Sequence, residues 1–233
     1  MKLITPFVTL VLGLTLGYLL NSPKTQPPFT PSTLETLGEV TGETFKLATV
    51  IEETTGHRIL VSGENHRALL SHIQSCAGKV SQLMSAADSP AREKRRINEV
   101  SALFENALLE EINSHPDFIC VFPKTNDGKT QRSGYPDLRL EHLPTKTVAY
   151  LDPKLFEASS INSSFRTFYY EPSPERTKVT EDALHLLIGF PHDGKTRAWT
   201  FGEPKLVDLS NLEVTLKAEF SASNRDLYSE YDQ

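Results

Sequence analysis

The feature that most constrains this chain is a change of hydrophobic period near residue 115. From Ala91 to Asn113, "AREKRRINEVSALFENALLEEIN", the residues Ile97, Val100, Leu103, Phe104, Ala107, Leu108 and Glu111 share one face at helical spacing, which predicts an amphipathic helix. Beyond it the pattern becomes that of strands. "DFICVF" (117–122) is a short apolar run, "YPDLRLE" (135–141) alternates, and "TVAYLDPKLF" (147–156) follows the turn "PTK" and is rich in strand formers. "SSFRTFYY" suggests an aromatic strand at Phe165 to Tyr170, and "VTEDALHLLIGF" (179–190) reads as a short helix start running into a buried strand. "RAWTF", "PKLVDL" and "LEVTLKAEF" are further strand candidates. Helices and strands in this succession predict an α/β fold of the α+β type with a mixed sheet.

Upstream, the run from Leu3 to Leu20 is uncharged, apolar and 18 residues long, at the lower limit for a spanning helix. It predicts an N-terminal membrane anchor, or else a cleaved export signal, over residues 1–20. That places the protein at a membrane or outside it, in a bacterial envelope or periplasm. Residues 21–33, "NSPKTQPPFTPST", read as an extended linker. Residues 34–90 predict a helical extension of two or three helices, broken near Gly56, Gly63 and "ADSP", with the α/β domain over 91–233.

The formal net charge of -6 argues against a protein that coats nucleic acid by bulk electrostatics, but leaves room for a locally basic cleft. Two cysteines, Cys76 and Cys120, are too few for a disulfide framework; they either pair in an exported body or stay as separate buried thiols. No zinc-ligand spacing, phosphate-binding loop, dinucleotide fingerprint or nucleophile elbow is present. His66 and His72 do not share a helical face, and His185 reads as a core histidine.

The chemistry concentrates in residues 133–157, "SGYPDLRLEHLPTKTVAYLDPKLFE". Asp152 and Lys154, two apart in a strand, point to one side, and a neighbouring antiparallel strand brings Asp137 beside them. Two carboxylates at close range repel unless a cation lies between them. Oxygen ligands of this kind suit Mg²⁺ or Mn²⁺, and an ammonium on the same face offsets charge on a phosphoryl group. Together these groups suit metal-assisted phosphodiester hydrolysis of nucleic acid.

"P-D" in one strand, then "D-x-K" fifteen residues later in the next, resembles the PD-(D/E)XK nuclease superfamily. The resemblance covers roughly residues 95–190. It implies a restriction-endonuclease-like core: a helix, a three-stranded meander, then a helix and a further strand. It also implies a glutamate from the preceding helix, for which "LFENALLEEI" offers Glu105, with Glu99 and Glu111 as alternates. On this reading Asp137, Asp152, Lys154 and Glu105 are the catalytic residues. Asp137, Asp152, Glu105 and the Pro153 carbonyl hold Mg²⁺ or Mn²⁺, and the substrate is a nucleic acid, with DNA ranked ahead of RNA and the choice between them left open. Pro153 departs from the apolar residue usual at that position. A proline in a central strand removes a ladder hydrogen bond, yet it keeps its carbonyl.

The alternative reading is a catalytically inactive, nuclease-like binding or scaffold domain at the cell envelope. Arg92, Lys94, Arg95 and Arg96 are either a solvated charge run or a phosphate contact. Arg166, among aromatic rings, and Arg225 are weaker candidates for gripping nucleic acid.

Overall fold

The apolar alternation of the chain is realised in one mixed sheet. A computed structural model describes residues 31–164, 168–173, 176–219 and 221–228. Two compact units divide the chain, residues 1–42 with 217–233, and residues 43–216. Among the described residues the first unit carries helix α1 (Pro31–Val40) and a short helix over Asn224–Tyr228.

The second unit begins with β1 (Thr44–Lys46), α2 (Leu47–Thr55), β2 (Ile59–Leu60) and α3 (Arg67–Ser85). Helix α4 (Ser101–Asn113) then leads into β3 (Phe118–Val121), β4 (Leu138–His142) and β5 (Thr147–Glu157). Strands β6 (Ala183–His192), β7 (Lys205–Asp208) and β8 (Glu213–Thr215) complete it. The main sheet runs β2-β6-β5-β4-β3, with β7 also on β6, while β1 and β8 pair separately. β3, β4 and β5 form an antiparallel meander, and β6 lies parallel to β5 along Ala149↔Leu184 through Glu157↔His192.

Both faces of the sheet are covered, which explains why β5 and β6 read as nearly continuous apolar runs. Leu138, Leu140, Ala149, Leu151, Leu184, Leu186, Ile188 and Phe190 bury one face against α3 and α4. From α3 come Leu69, Ile73, Cys76, Ala77, Val80 and Met84, a helical stripe, and from α4 come Phe104, Leu108 and Ile112. Each such fully buried leucine or isoleucine contributes about 1.5–3 kcal/mol. On the opposite face Val148, Tyr150 and Ala183 pack with Leu47 and Ile51 of α2, Val179 and Leu209. Helix α2 stops at Gly56, whose φ of 76° closes the cap with its amide on the Glu52 carbonyl at 2.8 Å.

The structure revises four local expectations. The helix predicted from Ala91 begins only at Ser101. Before it, Pro90–Glu93 is a 3₁₀ turn capped by the Ser89 hydroxyl, and the Arg92 guanidinium is spent on the Ser85 and Ala86 carbonyls that end α3. No helix starts at Val179; residues 177–182 are irregular, with Val179 buried in one core cluster with Tyr150, and the strand begins at Ala183. The helix that the resemblance implies between β5 and β6 is not found among the described residues, where a 3₁₀ turn (Ala158–Ser160) follows β5. Phe168 to Tyr170 form no strand; Phe168 and Tyr170 set their rings against Tyr135.

Phe165 and Arg166 lie outside the described residues, as do the apolar run from Leu3 to Leu20 and the side chain of Arg225. Cys76 and Cys120 are separate buried thiols, and burial pushes them up to about 11 and about 12.

Candidate active site

β5 carries Asp152, Pro153 and Lys154 past the point where β4 ends. The last register pair between these strands is Leu138↔Leu151, whereas β5 stays paired with β6 to Glu157. The next residue back along the chain from Leu138 is Asp137, whose amide donates to the Leu151 carbonyl at 3.1 Å. The meander thus sets the Pro136-Asp137 corner beside the stretch of β5 that has lost its β4 neighbour.

Alternation in β5 sends Asp152 and Lys154 to the face shared with Tyr150. The Lys154 ammonium lies 2.8 Å from Asp152 Oδ1 and 3.4 Å from Asp137 Oδ2. Asp152 is only 2% exposed, and its Oδ2 is buried with no hydrogen-bond partner among the described residues. Burial, then the neighbouring Asp152 charge, pushes the Asp137 carboxyl up to about 7, against the lowering effect of Lys154. Burial works to lower Lys154, but the Asp152 and Asp137 charges outweigh it and hold the amine above its ordinary value. The result is a buried carboxylate pair held by one ammonium, with one acceptor oxygen left over.

Pro153 sits within this strand without breaking it, in register with Ile188. Backbone polar groups alternate between the two edges of a strand. The Leu151 carbonyl faces the Asp137 side, so the Pro153 carbonyl, two residues on, faces that side too. The missing proline N–H therefore points where β4 has ended, and no ladder bond is lost. A proline is tolerated here for the same reason that it is tolerated on an edge strand.

The glutamates on and before the helix are placed differently. Glu105 follows Phe104 on α4, across the sheet from the Tyr150 face, and Arg132 holds its carboxylate at 2.7 Å. Arg132 in turn lies over the Phe122 ring at 4.2 Å. Glu111 is paired with Lys79 of α3 at 2.6 Å, and Glu99 lies in a 3₁₀ turn (Ile97–Glu99) ahead of α4. Among the described residues no group of three or more His, Cys, Asp or Glu is arranged to hold a metal ion. The structure brings Asp137, Asp152 and Lys154 together and leaves Glu105 to Arg132.

Sequence reasoning overlooked two groups next to this cluster. Lys178 is 2% exposed, and its ammonium donates to the Gln131 carbonyl at 3.3 Å. Burial lowers its pKa, while the charges of Asp137, Asp152 and Glu105 act to raise it. It lies in a polar stretch with no motif around it, so only the fold reveals its position. Tyr135, just before the Pro-Asp corner, shares a 2.7 Å hydrogen bond with Nδ1 of the buried His185. Burial, then the Asp152 charge, raises its phenol well above the ordinary value.

The profile of the type II restriction enzyme MjaV family matches residues 40–231. The type II restriction enzyme MjaV of Methanocaldococcus jannaschii is 31% identical over 199 residues, which cover 80% of this chain and 86% of that protein. This kinship corrects one expectation. A membrane-anchored or exported envelope protein does not agree with relationship to a restriction enzyme, and no helix among the described residues is long and apolar enough to cross a membrane. With a family match over residues 40–231 and 31% identity to a restriction enzyme over 199 residues, the chain belongs to the type II restriction enzyme MjaV family.

Proposed function

We propose that this protein is a Mg²⁺- or Mn²⁺-dependent endonuclease of the PD-(D/E)XK type that hydrolyses phosphodiester bonds in DNA. The observation that carries the reading is the convergence of Asp137, Asp152 and Lys154 within hydrogen-bonding range across two strands. Family membership supports the choice of DNA over RNA.

The residues fit a small hard cation. Asp152 Oδ2 is a buried acceptor without a partner among the described residues, and burial, then the Asp152 charge, pushes Asp137 up to about 7 beside it. Asp137, Asp152 and the Pro153 carbonyl would hold the ion through oxygen alone. Few protein ligands suit Mg²⁺, which keeps waters and takes substrate phosphate oxygens. When bound, the ion supplies Lewis-acid stabilisation of charge developing on the phosphoryl oxygens. Lys154 orients the attacking water through its ammonium and adds a fixed positive charge beside the carboxylate pair. Glu105 orders the site from its flank, by fixing Arg132 and the loop that leads to Asp137.

Incubating the protein with duplex DNA tests this directly. Cutting with Mg²⁺, none with chelator, and a loss of about 100-fold or more in Lys154→Ala are expected. Full activity in Asp137→Ala would sink the assignment. A second reading, a nuclease-like domain that binds without cutting, draws on the Arg132 hold on Glu105 and on the lack of a three-ligand group among the described residues. Calorimetry separates the two, since absence of Mn²⁺ binding at millimolar concentration favours the second.

A further inference from the structure

The basic run ahead of α4 and the loop that follows β6 meet in the fold. Residues 193–200 leave β6 at His192 and return at Phe201, which bridges back to His192. The Asp193 amide donates to the Thr200 carbonyl at 3.2 Å and the Ala198 amide to the Lys195 carbonyl at 3.0 Å, which closes a hairpin. Trp199, 5% exposed, sets its ring edge-on to His192 and donates its indole N–H to the Lys94 carbonyl at 3.1 Å. That bond ties the 94–96 backbone to the hairpin. Arg95 and Arg96 follow Lys94, and Arg197 precedes Trp199 by two residues; all three arginines are exposed. None of the three has an ion-pair partner among the described residues. Arg92, by contrast, is spent on the Ser85 and Ala86 carbonyls. Of the neighbouring carboxylates, Asp193 is turned into the hairpin, where Oδ1 accepts from the Lys195 and Thr200 amides, and Glu93 and Glu99 flank the run without pairing to it. A chain of net charge -6 therefore presents three free guanidinium forks on two joined segments. Such a fork matches a phosphate group in shape and charge.

This basic patch and the carboxylate pair lie at the same end of the sheet. Lys154 is in register with Gly189, and β6 runs on from there for three residues, about 10 Å, to His192. Glu157, where β5 ends, lies against the hairpin: a Cβ added at Gly194 would stand 3.2 Å from Glu157 Oε1. Phe104, next to Glu105 on α4, meets Phe190 at 4.5 Å and Phe201 at 4.7 Å, so the start of α4 is held at this end as well. The hairpin turn carries the patch on to roughly 20 Å from Lys154 at most. Base pairs in B-DNA advance about 3.4 Å each, so 10–20 Å is a span of about three to six base pairs.

We propose that residues 94–96 and the 193–200 hairpin form one surface for the backbone of duplex DNA, on which Arg95, Arg96 and Arg197 contact phosphates about three to six base pairs from the bond that is cut. Contacts of this kind carry no sequence information; they set the register of the duplex over Asp137, Asp152 and Lys154. Trp199 makes the two segments act together, because its indole N–H fixes the start of one against the end of the other. The inference rests on the nuclease reading for the position of the scissile bond, and its test reads binding apart from cutting.

The test is fluorescence anisotropy of the full chain with a labelled random-sequence duplex, in chelator so that nothing is cut, over a series of salt concentrations. The Arg95→Ala/Arg96→Ala pair and Arg197→Asn, an exchange that suits the φ of 63° at that position, are compared with wild type. Each arginine removed is expected to reduce the slope of log K against log salt by about 0.9 and to weaken binding roughly tenfold at about 0.1 M salt. Arg95→Lys/Arg96→Lys, which keeps the charge, is expected to keep the wild-type slope. Lys146→Asn removes an exposed cation from the β4–β5 turn, at the opposite end of the sheet, and is expected to change nothing. Arginine variants with the wild-type slope overturn the inference, and leave the nuclease reading standing if wild type cuts DNA with Mg²⁺. An equal loss in Lys146→Asn, or in the lysine pair, also overturns it, since net charge or the fold of the turn then accounts for the effect. A wild type that does not bind duplex overturns it outright. A wild type that binds but never cuts, with the slope reduced in the arginine variants, sinks the nuclease reading and upholds the surface.

Discussion

Lys154 and Asp152 stand 2.8 Å apart through one carboxylate oxygen, while the other oxygen of Asp152 is buried with no partner among the described residues. That asymmetry leaves the pair one buried acceptor that Lys154 does not satisfy. It also fixes what removal of Lys154 does to the fold. Taking one partner from a buried ion pair leaves an uncompensated charge and costs roughly 3–5 kcal/mol. Lys154→Met is expected to lower the urea midpoint clearly. Asp152→Asn in the Lys154→Met background is expected to recover part of the loss, since the stranded charge is gone. A double variant no more stable than Lys154→Met shows that the two side chains are not coupled.

His185 provides a pH dependence of known sign. Its ring is fully buried, Nε2 has no partner among the described residues, and burial holds the imidazole down at about 3 against an ordinary 6.5. Between those values the unfolded chain binds a proton that the folded chain refuses. The contribution of His185 to stability is therefore present above about pH 6.5 and is lost as pH falls toward 3. His185→Gln removes the titration and still offers Tyr135 a hydrogen-bond partner. Denaturation midpoints of wild type and His185→Gln are expected to converge as pH drops, with wild type losing on the order of 3 kcal/mol more between about pH 6.5 and 4. Parallel curves count against a neutral buried ring.

Edge strand β3 is blocked by a side chain. Asn113, the last residue of α4, accepts from the Cys120 amide at 2.7 Å and donates to the Cys120 carbonyl at 2.9 Å. Its amide thus imitates a neighbouring strand at one residue. Ile119 and Val121 on the same strand are 44% and 41% exposed, which makes an open edge there adhesive. Asn113→Ala is expected to cost about 1–3 kcal/mol for the two unpaired backbone groups. Light scattering is expected to show self-association of the variant at concentrations where wild type stays dispersed; equal scattering would argue that the edge needs no guard.

The legible and illegible parts of this molecule differ in the range of the interactions that determine them. Strands β4 and β5 were readable because alternation and turn residues are local, and the register they imply carries Asp137 to Asp152 and Lys154. Helix α4 was readable in its apolar face but not in its start, since Arg92 is drawn to the α3 carbonyls by a contact the period does not encode. The placement of Glu105 and Lys178 depends on how the 122–137 and 177–180 segments close around the sheet edge. Nothing in the spacing of either residue announces that closure. The apolar run at Leu3 to Leu20 reads as a membrane address on hydropathy alone, and kinship with a restriction enzyme overturns that address.

Pro153 allows the backbone role at the site to be separated from the side-chain role. Its missing N–H faces the open side of β5, so restoring an N–H by Pro153→Ala breaks no backbone hydrogen bond, and the alanine keeps the same carbonyl. The cost is the added freedom of the unfolded chain, about 0.4–1 kcal/mol, with the loss of a small buried ring on top. Mg²⁺-dependent cutting and calorimetric Mn²⁺ affinity are expected to stay within about threefold of wild type, because the group proposed to meet the metal is retained. Asp152→Asn keeps the strand and changes the carboxylate, and is expected to lose both. If Pro153→Ala instead loses metal affinity as fully as Asp152→Asn, then the ring itself fixes the geometry of the carbonyl, and the strand alone does not hold it in place.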